Sequence, residues 1–195
     1  MAALVFWVGS VVAAVLLALL VLSLLIRPLR IWPTPGVGSW QSYVFWPLFR
    51  GLNTLCFVLV AAELIEGRGN FLGLPLWMRV LAFVALAISV AVFVYAFRLL
   101  GRDNSYGAQD GLVTGGIYQW TRNPQNAMLI VVYACLALAA DSRAAYVLCA
   151  AMMAVYALRC CDWSSDVCSS DLRLTCCCGT ATPCAYWTAL LRQCI

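Results

Sequence analysis

The residues best equipped for chemistry sit in one interval, Gly111-Leu112-Val113-Thr114-Gly115-Gly116-Ile117-Tyr118-Gln119-Trp120-Thr121-Arg122-Asn123-Pro124-Gln125-Asn126. It is the long polar, glycine-bearing stretch between otherwise apolar blocks. Gly111, Gly115 and Gly116 let the backbone approach a nucleotide-like ligand closely. Tyr118 offers a ring face and a hydroxyl, and Asn123 an amide that donates and accepts. Arg122 has the planar cation that pairs with an anionic acceptor or a cofactor carboxylate. Pro124 holds Asn123 in extended geometry and opens the next helix. The same residues also suit a membrane-surface loop without chemistry, with Arg122 as an interfacial, helix-flanking arginine.

What the chain lacks narrows the chemistry. It has no histidine, which removes Ser-His and Cys-His nucleophilic systems and imidazole metal sites. All 12 basic residues are arginine, a pattern of a GC-rich genome, so the net charge of +4 is weak ground for a nucleic-acid partner. Neither a nucleic acid nor a metal is expected.

The interval resembles the signature of the isoprenylcysteine carboxyl methyltransferase family, which is itself similar to the phospholipid N-methyltransferases. That signature reads Leu-Val-Thr-x-Gly-x-Tyr-x-x-x-Arg-(His or Asn)-Pro and falls here on Leu112 through Pro124. The resemblance covers about residues 76–158 and is specific in its centre. It implies an integral membrane enzyme that moves a methyl group from S-adenosylmethionine to a lipophilic acceptor. The acceptor would be an isoprenylated cysteine carboxylate, a phospholipid amine or another lipophilic molecule. By the resemblance, cofactor contacts fall on Asp110, Gly111, Leu112, Val113, Tyr118 and Asn123, with Arg122 the catalytic candidate. Asn123 stands where histidine is common, and Asn126 and Ala127 depart from the usual tyrosine and glycine. Methyl transfer tolerates the missing histidine, because the sulfonium carbon is already activated and the acceptor needs alignment and exclusion of water.

The elements that must position this loop are apolar. Hydrophobic residues make up 65% of the 195-residue chain and charged ones 10%, against about 25% in soluble domains. Met1–Ile26 carries no charge, has no cleavage-site pattern, and reads as a retained transmembrane helix over Ala2–Ile26. Further helices are expected over Leu48–Ile65 and Pro75–Leu100, after a proline- and tryptophan-rich connection from Arg27 to Pro47. Trp32, Trp40 and Trp46 in that connection suit the headgroup level. Asn126–Leu158 is too long for one span and is broken by Asp141-Ser142-Arg143. It predicts two helices of about 15 residues, forming a tilted or partly inserted hairpin. The expected fold is therefore all-α: an integral membrane bundle of three full spans plus a short helical hairpin.

Arginine placement predicts orientation. Arg27, Arg30 and Arg50 flank the first connection, and Arg98, Arg102 and Arg122 the third, whereas Arg68 and Arg79 flank the second. The amino terminus is then outside a cell membrane and the candidate loop cytoplasmic. Glu63 and Glu66, one helical turn apart, read as a solvated interfacial face.

Composition changes at Arg159. Every cysteine except Cys56, Cys135 and Cys149 lies from Cys160 onward, in adjacent runs without the paired spacing of a zinc site. Cys161-Asp162-Trp163-Ser164-Ser165-Asp166-Val167-Cys168-Ser169-Ser170-Asp171-Leu172 is similar to translated sequencing-adapter read-through. Consecutive cysteine codons, read one base earlier, encode leucine, and the shift allows Leu-Leu-Arg-Tyr-Gly after Thr175. The domain is expected over residues 1–159, with residues 160–195 a disordered adapter and frameshift product. The resembled family continues with an arginine followed by paired glutamates that help hold cofactor and acceptor. Arg159 matches the arginine, but no glutamate follows it, so the chain as it stands is expected to turn over little or nothing.

Two other readings fit the same loop. A membrane sterol- or enone-reductase relative carries a similar aromatic-x-x-x-Arg-(His or Asn)-Pro element and uses NADPH. A non-catalytic membrane accessory protein would keep the scaffold without turnover.

Overall fold

The computed structural model describes residues 1–26, 31, 32, 38–67, 69–100 and 124–171, with Leu100 and residues 160–171 as backbone alone. The described residues form five helices and no strand: α1 (Ala2–Leu25), α2 (Trp40–Glu66), α3 (Leu76–Leu100), α4 (Pro124–Ala140) and α5 (Arg143–Asp171). The first three are long and apolar enough to cross a membrane, and α4 is a shorter apolar helix. The all-α architecture expected from the sequence, with three helices of spanning length, is the one the described residues form.

Helix α2 starts earlier than its hydropathy suggests. Ser39 caps it, its hydroxyl accepting the Ser42 N–H at 3.3 Å, and the helix runs through Pro47 to a left-handed cap at Gly67. An interior proline forfeits a hydrogen bond and costs about 3 kcal/mol in isolation. Here the turns around it carry Phe45, Trp46 and Phe49, whose rings pack at 5.3–6.0 Å from one another. Burial of that aromatic face offsets the proline, so the connection ends at Ser39 rather than Pro47.

The core lies among α1, α2, α4 and α5, where Leu16, Leu20, Phe45, Leu52, Leu59, Leu148, Met152 and Val155 are fully enclosed. Helix α3 packs chiefly on α4 and exposes Leu76, Trp77, Val80, Leu81 and Ile88. Apolar side chains on an outer helix suit a lipid surround.

The break in the last apolar block falls where the sequence puts it. Asp141 takes a left-handed φ of 46°, and Ser142 caps α5 by accepting the Ala145 N–H at 3.1 Å. The Asp141 carboxylate accepts the N–H groups of Leu72 and Leu74 at 3.0 and 3.2 Å, and its carbonyl accepts that of Phe71. Arg79 donates to the carbonyls of Ala139 and Gly69 at 3.0 and 3.2 Å. The turn is thereby stapled to the α2–α3 connection. At 17 residues α4 spans about 25 Å, and it runs from the far end of the bundle to this staple. The two helices of the hairpin thus pack against each other and against the other helices of the bundle. Helix α5 continues to Asp171, beyond the end at Leu158 that apolar content alone predicts.

Candidate active site at the loop end of the bundle

Helix direction decides what can meet at the site. Helices α3 and α4 pack together, and the Asp141 staple holds the end of α4 beside the start of α3. Leu100 and Pro124, the two ends of the candidate loop, therefore lie at the opposite end of the bundle. Pro124 is buried at the first position of α4, where a missing N–H costs nothing. Arg98 in the last turn of α3 complements that helix end. The expected cofactor contacts Asp110, Gly111, Leu112, Val113, Tyr118 and Asn123, and the catalytic candidate Arg122, lie outside the described residues.

The same end holds an aromatic box that sequence reading missed. Phe45 and Phe49, one turn apart on α2, stack at 5.3 Å. Tyr156 on α5 meets Phe49 edge-on at 5.5 Å. The first connection folds back, the Ile31 N–H donating to the buried Ser23 hydroxyl at 3.1 Å, and this carries Trp32 to 4.8 Å from Phe45. The Arg159 guanidinium fills the box, 4.0 Å from the Trp32 ring centre, 4.6 Å from Phe49, 5.5 Å from Phe45 and 5.8 Å from Tyr156. All four distances are within cation–π range. Arg159 is 8% exposed, so ring faces take the place of much of its hydration.

Next to the box, away from the loop end, lies a polar cluster within the helices. The Asn53 side-chain carbonyl accepts the hydroxyl of Tyr133 from α4 and that of Tyr156 from α5, the latter at 3.3 Å. The Asn53 amide donates to the Phe49 carbonyl at 2.7 Å. Cys56 follows on the same helix face, its thiol donating to the Leu148 carbonyl at 3.7 Å. Three helices are tied at one point, because polar groups in an apolar interior must satisfy each other. Glu63, expected on a solvated face with Glu66, is buried at 7% exposure, whereas Glu66 is exposed. The face of α2 that carries Glu63 also carries Leu59 and Val60, and packing of that face outweighs the charge.

Among the described residues no group of three or more histidine, cysteine or acidic side chains is arranged for a metal. The box and the cluster bring a held cation and interlocked hydroxyls, with no nucleophile beside a base.

Residues 77–164 match the phospholipid methyltransferase family. The match starts in the first turn of α3, takes in the whole loop and α4, and passes Arg159. It bears out the relationship to isoprenylcysteine carboxyl methyltransferase-like membrane enzymes that the loop motif suggests. The phospholipid methyltransferase family implies a membrane methyltransferase. Comparisons with curated proteins and with solved structures find no match.

The missed residues left little trace in sequence. Asn53 stands alone as a strong amide within an apolar run, a signal of an intramembrane partner. Arg159 and Trp32 are far apart along the chain, and no local pattern joins them.

Proposed function

We propose that the protein is an S-adenosylmethionine-dependent methyltransferase acting on a lipophilic acceptor within the bilayer. The observation that carries the reading is the family match over residues 77–164, which encloses the polar Gly111–Asn126 interval and begins and ends within helices. In this reading Asp110, Gly111, Leu112, Val113, Tyr118 and Asn123 hold the cofactor. Arg122 faces an anionic group of the acceptor or cofactor. S-adenosylmethionine, when bound, would supply an activated methyl group that passes in line to the acceptor nucleophile as its carbon–sulfur bond breaks, with S-adenosylhomocysteine as the leaving product. Alignment and exclusion of water supply the acceleration. The apolar outer faces of α1 and α3 suit an acceptor that arrives from the membrane, and the loop is placed on the cytoplasmic side of a cell membrane.

Residues 160–195 contain no glutamate. We read the segment as read-through and frame-shifted sequence, with little or no turnover in this form. Sequencing the locus across the codons after Arg159 tests that point, and an intact frame encoding this tail would reject it.

The function is tested by thermal shift in detergent with S-adenosylmethionine and NADPH in parallel, on this chain and a frame-corrected one. Stabilisation of the corrected chain by S-adenosylmethionine alone is expected. Stabilisation by NADPH alone would move the protein to the reductase class, and no response to either would make it an accessory protein.

A further inference from the structure

Helix α2 exposes an arginine at a depth where the helix beside it is still apolar. The Cys56 thiol of α2 and a Cβ placed on Gly9 of α1 both meet Leu148, which sets the two helices side by side at that height. Arg50 lies further toward the loop end, beside the second half of α1 and about two turns short of its end at Leu25. Over those turns α1 still exposes Val21, Leu22 and Leu24. An exposed cation at such a depth is costly unless it reaches the interface or a counter-charge. Helical side chains lean toward the N-terminus of their helix, and α2 begins at the loop end. The Arg50 guanidinium accordingly lies 5.3 Å over the ring of Trp46, one turn nearer that end. Trp46 is held edge-on by Trp32, Phe45 and Phe49 at 5.8, 5.3 and 6.0 Å, so the plane under the guanidinium is fixed.

The carboxylates among the described side chains, Glu63, Glu66 and Asp141, all lie at the other end of the bundle. The exposed stripe that carries Arg50 runs Trp40, Tyr43, Pro47, Arg50, Thr54 and Phe57, at the spacing of one helix face. Rings with a polar edge stand on its interfacial side and an apolar ring on its deep side. That order is the order of one lipid, from headgroup to tail. We propose that Arg50 and Trp46 form a binding site for the phosphate of a membrane phospholipid in the leaflet at the loop end. The guanidinium forks onto two phosphate oxygens, Trp40 and Tyr43 border the headgroup, and Phe57 meets an acyl chain. The site rests on the membrane-spanning fold and not on the methyltransferase reading.

Native mass spectrometry of the full chain from detergent micelles tests the site, with dioleoyl phosphatidylglycerol, dioleoylglycerol and inorganic phosphate as probes. The parent is expected to retain phosphatidylglycerol well above dioleoylglycerol, which has the same tails without the phosphate. Arg50→Met should weaken that retention about tenfold, the factor of one charge-assisted hydrogen-bonded pair. Arg50→Lys keeps the charge without the planar fork and should lose less. Trp46→Phe, which keeps a ring, should likewise lose less than Trp46→Leu. Thermal unfolding in lipid-free micelles should be alike for the parent and Arg50→Met, because the side chain is exposed. Added phosphatidylglycerol should then stabilise the parent more than the variant. Equal retention of phosphatidylglycerol by the parent and Arg50→Met, or equal retention of dioleoylglycerol by the parent, would each overturn the site. Displacement of the lipid by millimolar inorganic phosphate would assign the site to a free anion and overturn the lipid.

Discussion

The carboxylate of Asp141 accepts the backbone N–H of Leu72 at 3.0 Å across 69 residues of sequence. A second oxygen takes the Leu74 N–H, and the Tyr146 hydroxyl donates to the first at 3.2 Å. One fully buried acid thus satisfies two backbone donors that no helix ladder serves. It also occupies the left-handed turn position that aspartate tolerates better than most residues. Asp141→Ala is expected to cost roughly 3 kcal/mol, because both amides lose a charged acceptor. Asp141→Asn keeps the turn and one acceptor oxygen and should cost about 1 kcal/mol. Unfolding in mixed micelles checks both, and equal stability of the two variants would show that the carboxylate is not the staple.

Two glycines separate backbone from side-chain crowding. A Cβ at Gly69 would run into the Ala140 carbonyl, a backbone atom that the Asp141 turn holds still. A Cβ at Gly9 would meet the end of the Leu148 side chain at 2.8 Å, which can rotate away. Gly69→Ala should therefore destabilise by about 3 kcal/mol and Gly9→Ala by about 1 kcal/mol, as overpacking against rigid and yielding neighbours does. Thermal unfolding in detergent of the two variants gives the order, and the reverse order would contradict the packing described.

Asn53 gathers two hydroxyls, so its loss should exceed the loss of either. Asn53→Ala is expected to cost roughly 2 kcal/mol and Tyr133→Phe about 0.6 kcal/mol, in line with hydrogen bonds measured between membrane helices. Titration with a denaturing detergent reads both. A Tyr133→Phe effect as large as that of Asn53→Ala would mean that the network hangs on one bond.

Loop chemistry is checked by binding. In a frame-corrected protein, Tyr118→Ala and Asn123→Ala are expected to weaken S-adenosylmethionine binding by roughly 1–3 kcal/mol each, the cost of a lost buried polar partner. Gln109→Ala serves as the surface control and should change little. Isothermal titration decides it, and parental affinity in both variants would remove the cofactor from this loop.

Sidedness follows from the bundle and the arginines together. The exposed Asn70 lies at the Asp141 end and the candidate loop joins the other end, so single cysteines at Asn70 and Ala108 should label from opposite faces of the membrane. With arginines concentrated at the loop end, Asn70 is expected to label from outside and Ala108 from inside. External labelling of Ala108 would invert the orientation.

Length and hydropathy were enough to read three spans, because a run that can cross ~30 Å of hydrocarbon has few other stable fates. The break at Asp141-Ser142-Arg143 was legible for the same reason, as polar residues within an apolar block must reach a turn or a partner. The Leu112–Pro124 spacing carried the family, which the match over residues 77–164 bears out. Hydropathy alone did not determine where α2 begins, since the apolar run stops at Pro47, whereas the Ser39 cap and the Trp32–Phe45–Phe49 packing carry the helix back to Ser39. The burial of Glu63, the meeting of Tyr133 and Tyr156 on Asn53, and the capture of Arg159 by Trp32 were likewise decided by tertiary structure. Each joins or encloses residues through helices whose relative rotation is set by the whole core. A hydropathy run fixes that a helix exists but not which of its faces turns inward, and those contacts depend on the face.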